Sequence, residues 1–597
     1  MRRFKRNLGC TSTLAEAGMQ LASAFSDKNA IQLNDTHPSI AVCELMRVLV
    51  DEEDLAWDDA WSIVGKTFGY TNHTILPEAL EKWSVDLMGH LLPRCLEIIY
   101  AINWNWLESL RKRGATDTMM SRLSLIEEEH GKSVRMANLA VLGSFSVNGV
   151  AALHTELVKS HVFPEWYAVF PERFNNKTNG VTPRRWINQA NPALATILTK
   201  WLDTEEWLKN LDLLAGLRAY ADDGALHTEW RQMKAANKQR LADTIKKATG
   251  VTVNASALFD VQVKRIHEYK RQQLNALYCI YRYRWIKSLS PADRAKVIPR
   301  VTIFGGKAAP GYDMAKRIIR LIHRIADRVN SDPEIGDTFK VVFIPNYNVS
   351  LAEIITPASD VSQHISTAGM EASGTSNMKF VMNGGSIIGT MDGANIEIAQ
   401  ECDRENLFIF GAETAEVFRL RDERRSRPPR DYCPELMGVL ADVRAGLYGP
   451  VDDVMPLLNT LRWENDYYLV SHDFPDYIRA QALIDTTYAD QREWTRRSIL
   501  CTAGTGKFST DRTIAAYAKE IWRVAPARRQ SPVRPENRLR HCMRQGIPIA
   551  HPLSHLPPHS TPTRIRLSMR WAARDLSRAS KISRAVGQGS GKAHRNC

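Results

Sequence analysis

Apolar residues recur at helical spacing over 40–50, 55–67 and 76–107, with Asp, Asn and Pro at the breaks, and this period predicts a mainly helical first part of the chain. Around 176–183 the pattern gives way to a polar turn containing Gly180 and Pro183, which predicts a domain junction. Beyond it, short apolar runs alternate with helical periods. The run 258–263 precedes a basic helix, 301–304 precedes a Gly-rich turn and a helix through Ile325, 340–344 precedes another helix, and 386–390 follows a helix that begins near Asn377. Such alternation predicts an α/β fold with a parallel, doubly wound sheet, whose ligands lie beyond the carboxyl ends of the strands.

Two segments of this second part carry candidate chemistry. In Glu371-Ala-Ser-Gly-Thr-Ser-Asn-Met-Lys379, Gly374 lets the backbone approach a ligand closely, and the helix start beyond it aims N–H groups and a positive dipole end at an anion. Lys379 lies on that helix. A phosphate cradle beside an amine suits pyridoxal phosphate, which is tethered by a lysine and anchored through its phosphate. In Lys264-Arg-Ile-His-Glu-Tyr-Lys270-Arg271, the cations Lys264, Arg265 and Lys270 cluster at a helix start and suit neutralising two phosphates; a solvated basic face is the competing reading. Asp35, in Asp35-Thr-His37-Pro, reads as a helix cap. Gly305-Gly-Lys307 lacks the Ser or Thr that would make it a nucleotide P-loop, and that reading is set aside.

Composition narrows the class. A chain of 597 residues, 44% of them hydrophobic, is too long for one core and predicts two or more domains. No apolar run reaches the ~18 residues of a membrane span, and Glu16 and Asp27 interrupt the stretch after the basic start, so neither a span nor a secretory signal is expected. The nine cysteines are scattered, without the close pairs of zinc or redox motifs, which fits reduced thiols, no metal and a cytoplasmic location. The net charge of +13 resides in the tail: residues 525–597 hold 15 Lys and Arg against Glu536 and Asp575, and the remainder is balanced. With eight prolines and no apolar period, that tail is expected to be disordered rather than a nucleic-acid-binding element.

The wording of the segments points further. EASGTSNMKFVMNGGSIIGTMDGANIEI (371–398) closely resembles the cofactor-lysine segment of the α-glucan phosphorylases, the glycogen, starch and maltodextrin enzymes, and LNDTHPSIAVCELMRVLVD, TNHTILPEALEKW, NKTNGVTPRRW, LFDVQVKRIHEYKRQ, GGKAAPGYDMAK and CTAGTGKFSTDRTIAAYAKEIW occur in that family's order, from about Ala30 to about Trp522. The resemblance implies two Rossmann-like domains facing across a cleft (GT-B type), with residues 1–178 the remainder of the first, 179–524 the second and cofactor-binding domain, and 525–597 outside the family. It implies a cytoplasmic, pyridoxal phosphate-dependent glycosyltransferase of glycogen degradation and carbohydrate metabolism, from a family with allosteric members, that converts terminal α-1,4-linked glucose and orthophosphate to glucose 1-phosphate with retention. By the same resemblance Lys379, Gly374, Thr375, Lys264, Trp186 and Tyr347 bind the cofactor, Arg265 and Lys270 hold the substrate phosphate beside Lys264, and His73, Asn179 and Glu371 contact the sugar.

The chain also departs from the family pattern. It shows no counterpart of the glycine-rich GNGGLGRL segment that cradles cofactor phosphate and sugar, nor of the N-terminal dimer contacts, so dimerisation is not expected. That departure sets up a rival reading, a truncated phosphorylase chain that binds the cofactor but releases little or no glucose 1-phosphate. An aminotransferase reading is set aside, because no arginine site for an amino-acid carboxylate is recognisable.

Overall fold

In the computed structural model, which describes residues 24–526 apart from 77–78, 130, 425, 427–431 and 463, the first part of the chain is built on a sheet as well as helices. Its strands are β1 (Ile31–Asn34), β2 (Phe68–Thr71), β3 (Lys82–Ser84), β4 (Ile126–Glu127), β5 (Ser133–Arg135), β6 (Ser144–Gly149) and β7 (Phe174–Asn176). β1, β2, β6 and β7 pair in that order as a parallel sheet, and β3, β5 and β4 form a small antiparallel one. The helical expectation holds for Ala41–Arg47, Trp57–Thr67 and Pro93–Lys112. It is corrected over 76–107, where β3 and the break before Pro93 divide the period into Val85–Leu91 and the longer helix.

The second sheet follows the alternation. Strands β8 (Leu258–Val263), β9 (Arg300–Gly305), β10 (Phe339–Ile344), β11 (Val361–His364), β12 (Ser386–Gly389) and β13 (Phe408–Ile409) are all parallel, in the order β10-β9-β8-β11-β12-β13. Winding therefore starts at β8, runs outward to β10, and returns to the other side of β8 with β11. The crevice between β8 and β11 is the switch point at which a sheet of this order binds ligands. Every residue of β8 and β9 is buried, as expected of a parallel sheet covered on both faces. One cover is the helix Asp313–Ser331, which turns Ala315, Ile318, Leu321, Ile322, Ile325 and Val329 inward at helical spacing.

The described residues form several apolar cores. One collects residues from Leu33 to Phe174, and another begins with Val181 and Trp186. The closing turns Thr510–Ala516 and Tyr517–Trp522 return to the first sheet, where Asn148 donates to the Tyr517 hydroxyl at 2.8 Å and the Trp522 indole donates to Gln32 at 3.0 Å. The described residues through Ala525 form one compact unit. The tail from 527 onward, expected above to be disordered, lies outside the described residues.

Two local expectations are corrected. The basic segment after β8 is a loop with a single 3-10 turn, Glu268–Lys270, and the helix Gln272–Ser288 starts only after Arg271, whose φ is 55°. Arg271 is fully buried. Its guanidinium donates to the Ile365 carbonyl and to the Asp473 carboxylate, both at 2.6 Å, and so ties the loop after β8 to the loop after β11. Asp35 caps no helix: it stands at φ 63° just past β1 and accepts the Thr36 N–H at 2.8 Å.

Candidate functional site

A cavity of about 350 Å³ lies where the carboxyl ends of both parallel sheets converge. From the first sheet come His73 after β2, Val150 after β6 and Asn179 after β7; from the second come Lys264 after β8, Tyr347 after β10, His364 at the end of β11 and Asp392 after β12. The stretch 371–377, ahead of and into the helix Ser376–Met382, closes one side. The halves are also tied beside the cavity by the buried Glu397, whose carboxylate accepts the Ala152 N–H at 3.0 Å and the Thr178 hydroxyl at 2.8 Å.

The electrostatics centre on Lys264, Lys270 and Glu371. Lys270 forms a close ion pair with the Glu371 carboxylate, which also accepts the Tyr269 hydroxyl at 3.3 Å. Removal from water by itself would lower the Lys270 ammonium, but the Glu371 carboxylate outweighs it and holds the lysine above its ordinary range. Conversely, burial would raise Glu371, and Lys270, aided by Lys264, holds it below. Lys264 has no such partner among the described residues: desolvation first and the Lys270 charge second push it down to about 7. Its Nζ is 3.3 Å from His364 Nδ1, and His364 Nε2 is 2.5 Å from the Ser362 hydroxyl. Burial and both lysine charges hold the His364 imidazole well below its usual range, so it is neutral and can accept from Lys264. A phosphate arriving here meets one ammonium already paired and another whose charge it would restore.

Gly374 takes φ 71°, a conformation that L side chains rarely adopt, and a Cβ there would lie 3.2 Å from the Asn377 amide. The first-turn N–H groups of Ser376–Met382 follow it. The Asn377 side chain donates to Asn395 at 3.0 Å, and Asn395 donates to the His364 carbonyl at 3.1 Å, so the lysine helix is fixed to the ends of β11 and β12. Lys379 projects from this helix over the Trp186 ring, 3.7 Å from its centre. Burial and Arg185 lower its amine to about 8. Burial raises the Tyr347 phenol to about 12.

Of the residues singled out in the sequence, Lys264, Lys270, Tyr347, Glu371, Gly374, Thr375, His73 and Asn179 line the cavity together. Lys379 and Trp186 pack against each other outside the lining, and Arg265 is exposed next to Lys264, its guanidinium unpaired among the described residues. Sequence reasoning missed Val150, His364, Ser366, Asp392 and Asn395. Asp392 stands inside the quoted TMDGAN wording, and its signal was an acid between a strand and two turn residues; His364 ends a strand too short to show a period.

The family model described as carbohydrate phosphorylase matches residues 11–524. The chain is 50% identical over 517 residues to alpha-glucan phosphorylase 2, cytosolic, of Arabidopsis thaliana, covering 85% of this chain and 61% of that protein. It is 52% identical over 515 residues to glycogen phosphorylase 2 of Dictyostelium discoideum (86% and 51% covered) and 51% identical over 522 residues to the glycogen phosphorylase of Saccharomyces cerevisiae (84% and 58% covered). It therefore spans about three-fifths or less of the length of these curated relatives. No helix among the described residues is long and apolar enough to cross a membrane.

Proposed function

The chain belongs to the carbohydrate phosphorylase family, and on that premise we propose that its cavity serves phosphorolysis of α-1,4-glucans, transferring a terminal glucosyl unit to orthophosphate. The observation that carries this reading is the meeting of an unpaired lysine, a lysine–glutamate pair and two polar loop residues, Asn179 and His73, at facing carboxyl ends of two parallel sheets.

The residues present fit pyridoxal phosphate. Gly374 leaves a close backbone approach open, Lys264 forms no ion pair among the described residues, and Lys379 has an amine depressed to about 8, hence partly uncharged near neutral pH. Lys264, Gly374, Thr375, Trp186 and Tyr347 would hold the group and Lys379 would tether it. When bound, it supplies a second phosphate able to exchange a proton with orthophosphate. Arg265 and Lys270 hold orthophosphate, the first as a planar fork and the second as a point charge. Asn179, His73 and Glu371 meet sugar hydroxyls, which both donate and accept. Orthophosphate gives its proton to the glycosidic oxygen as the bond to the anomeric carbon breaks, and its own oxygen then bonds that carbon on the same face, so the configuration is retained. The lysines stabilise charge where it gathers, and no pair of acid and base carboxylates is needed.

The test is phosphorus NMR of maltodextrin, orthophosphate and pyridoxal phosphate incubated with the 597-residue chain, and with the same chain joined to the preceding segment of the Saccharomyces relative. An α-sugar phosphate that appears only with orthophosphate supports the reading. Free glucose formed without phosphate contradicts it. Cofactor retention with no product from either protein would leave a polypeptide that binds the cofactor without turnover.

A further inference from the structure

Asp392 is the one carboxylate in the lining to which the proposed reaction gives no task. It is almost fully buried, just beyond β12, and it accepts four hydrogen bonds. Oδ1 takes the N–H groups of Gly369 and Gly393, each at 2.9 Å; Oδ2 takes the Ser366 hydroxyl at 2.7 Å and the Glu371 N–H at 2.8 Å. Gly369 and Gly393 have φ of 81° and 49°, and a Cβ on Gly393 would come within 2.7 Å of the Glu371 carbonyl. The loops after β11 and β12 therefore cross in close contact, and this carboxylate joins them alongside the Thr390 hydroxyl, which donates to the Ser366 carbonyl at 2.7 Å, and the Ala394 N–H, which donates to the Ser373 carbonyl at 2.8 Å. Among the described residues no cation pairs with it, so its charge rests on N–H and O–H donors. Burial raises its carboxyl to about 6.

Three of those donors belong to the loop that ends at Glu371, whose own carboxylate holds Lys270. We propose that Asp392 is a positioning residue: by fixing the Glu371 backbone it sets the Glu371 carboxylate against Lys270, and through it the affinity of the site for a sugar phosphate. The sugar-phosphate part rests on the reading given under Proposed function; the Asp392–Glu371–Lys270 part does not.

Asp392→Asn isolates the role. The amide keeps the shape of the carboxylate but replaces one acceptor oxygen with a donor. The Ser366 hydroxyl can rotate to accept, whereas Gly369, Gly393 and Glu371 offer only N–H, so the amide nitrogen takes the Oδ2 position and the Glu371 N–H loses its acceptor. The full chain would be treated with acetic anhydride and the acetylated fraction of Lys270 followed by mass spectrometry, with α-D-glucose 1-phosphate binding measured by calorimetry. Asp392→Asn should speed Lys270 acetylation as much as Glu371→Gln does, the double variant should add nothing further, and binding should weaken by about tenfold. An unchanged Lys270 rate in Asp392→Asn overturns the inference, even where the parent binds the sugar phosphate. A parent that does not bind it refutes the functional reading, and the acetylation rates alone then decide the positional part. Should Asp392→Asn fail to fold, hydrogen exchange of the parent decides: slow exchange at both Gly369 and Glu371 supports the clasp, and unprotected exchange at Glu371 rules it out.

Discussion

Lys270→Ala is expected to lower kcat for glucan phosphorolysis by about 10²–10³, the loss typical of removing one preorganised charge from a site where charge develops. The reason lies in the ion pair. Glu371 draws Lys270 above its ordinary range, so the ammonium is fully charged at working pH and already oriented inside the cavity. Its removal takes away the proposed phosphate ligand and also leaves only Lys264 and the Tyr269 hydroxyl to oppose the upward effect of burial on the Glu371 carboxyl. KM for orthophosphate should rise along with the fall in kcat, while the cofactor remains on Lys379. Steady-state kinetics at varied orthophosphate, on whichever form of the chain is active, would check this. A variant with parental kcat would remove Lys270 from the chemistry.

Arg271→Ala should destabilise the chain by about 3–5 kcal/mol, because it strands a buried carboxylate. Arg271 and Asp473 are fully and almost fully buried, 2.6 Å apart. Asp473 would keep the Ala412 N–H at 3.1 Å but lose its only cation among the described residues. Urea unfolding followed by far-UV circular dichroism measures the loss. Arg271→Lys, which keeps the charge but not the several-sided donor fork, should recover only part of it. A loss below about 1 kcal/mol, the scale of a surface pair, would show that this pair does not lock the loops together.

These two neighbours, Lys270 with its proposed part in the chemistry and Arg271 with its part in the structure, illustrate what the sequence disclosed. Their wording carried the family resemblance, yet the period did not reveal that Arg271 turns inward at positive φ and ends the loop, so the basic segment read as one helix. β8, β9 and β10 were legible because six-residue runs dominated by Val, Ile, Leu and Phe and bounded by turns leave few other readings. The first sheet was not. β1, β2 and β7 have only three or four residues, and polar residues such as Thr71 and Asn148 are buried in or beside them by hydrogen bonding, so neither alternation nor an apolar run betrays them. β11, Val-Ser-Gln-His, failed for the same reason, and His364 was lost with it.

The site was legible residue by residue rather than as a place. Lys264, Lys270, Glu371, Gly374 and Lys379 stood out from local chemistry and wording, but the convergence of the first four with His73 and Asn179 needs the switch point and the facing sheet, both long-range products of topology. Asp392 escaped because its partners, Ser366, Gly369 and Glu371, lie more than twenty residues away in sequence.

The claim that joins fold, cavity and chemistry is that the Lys379 amine tethers pyridoxal phosphate, and borohydride reduction of the cofactor-supplied chain followed by peptide mapping tests it most directly. The amine is depressed to about 8, so tethering should increase as pH rises through about 8, well below the ordinary lysine value of 10.5. The account predicts a pyridoxyl group on Lys379, absent in Lys379→Ala. A label on another lysine, or none on a folded chain supplied with the cofactor, would contradict it.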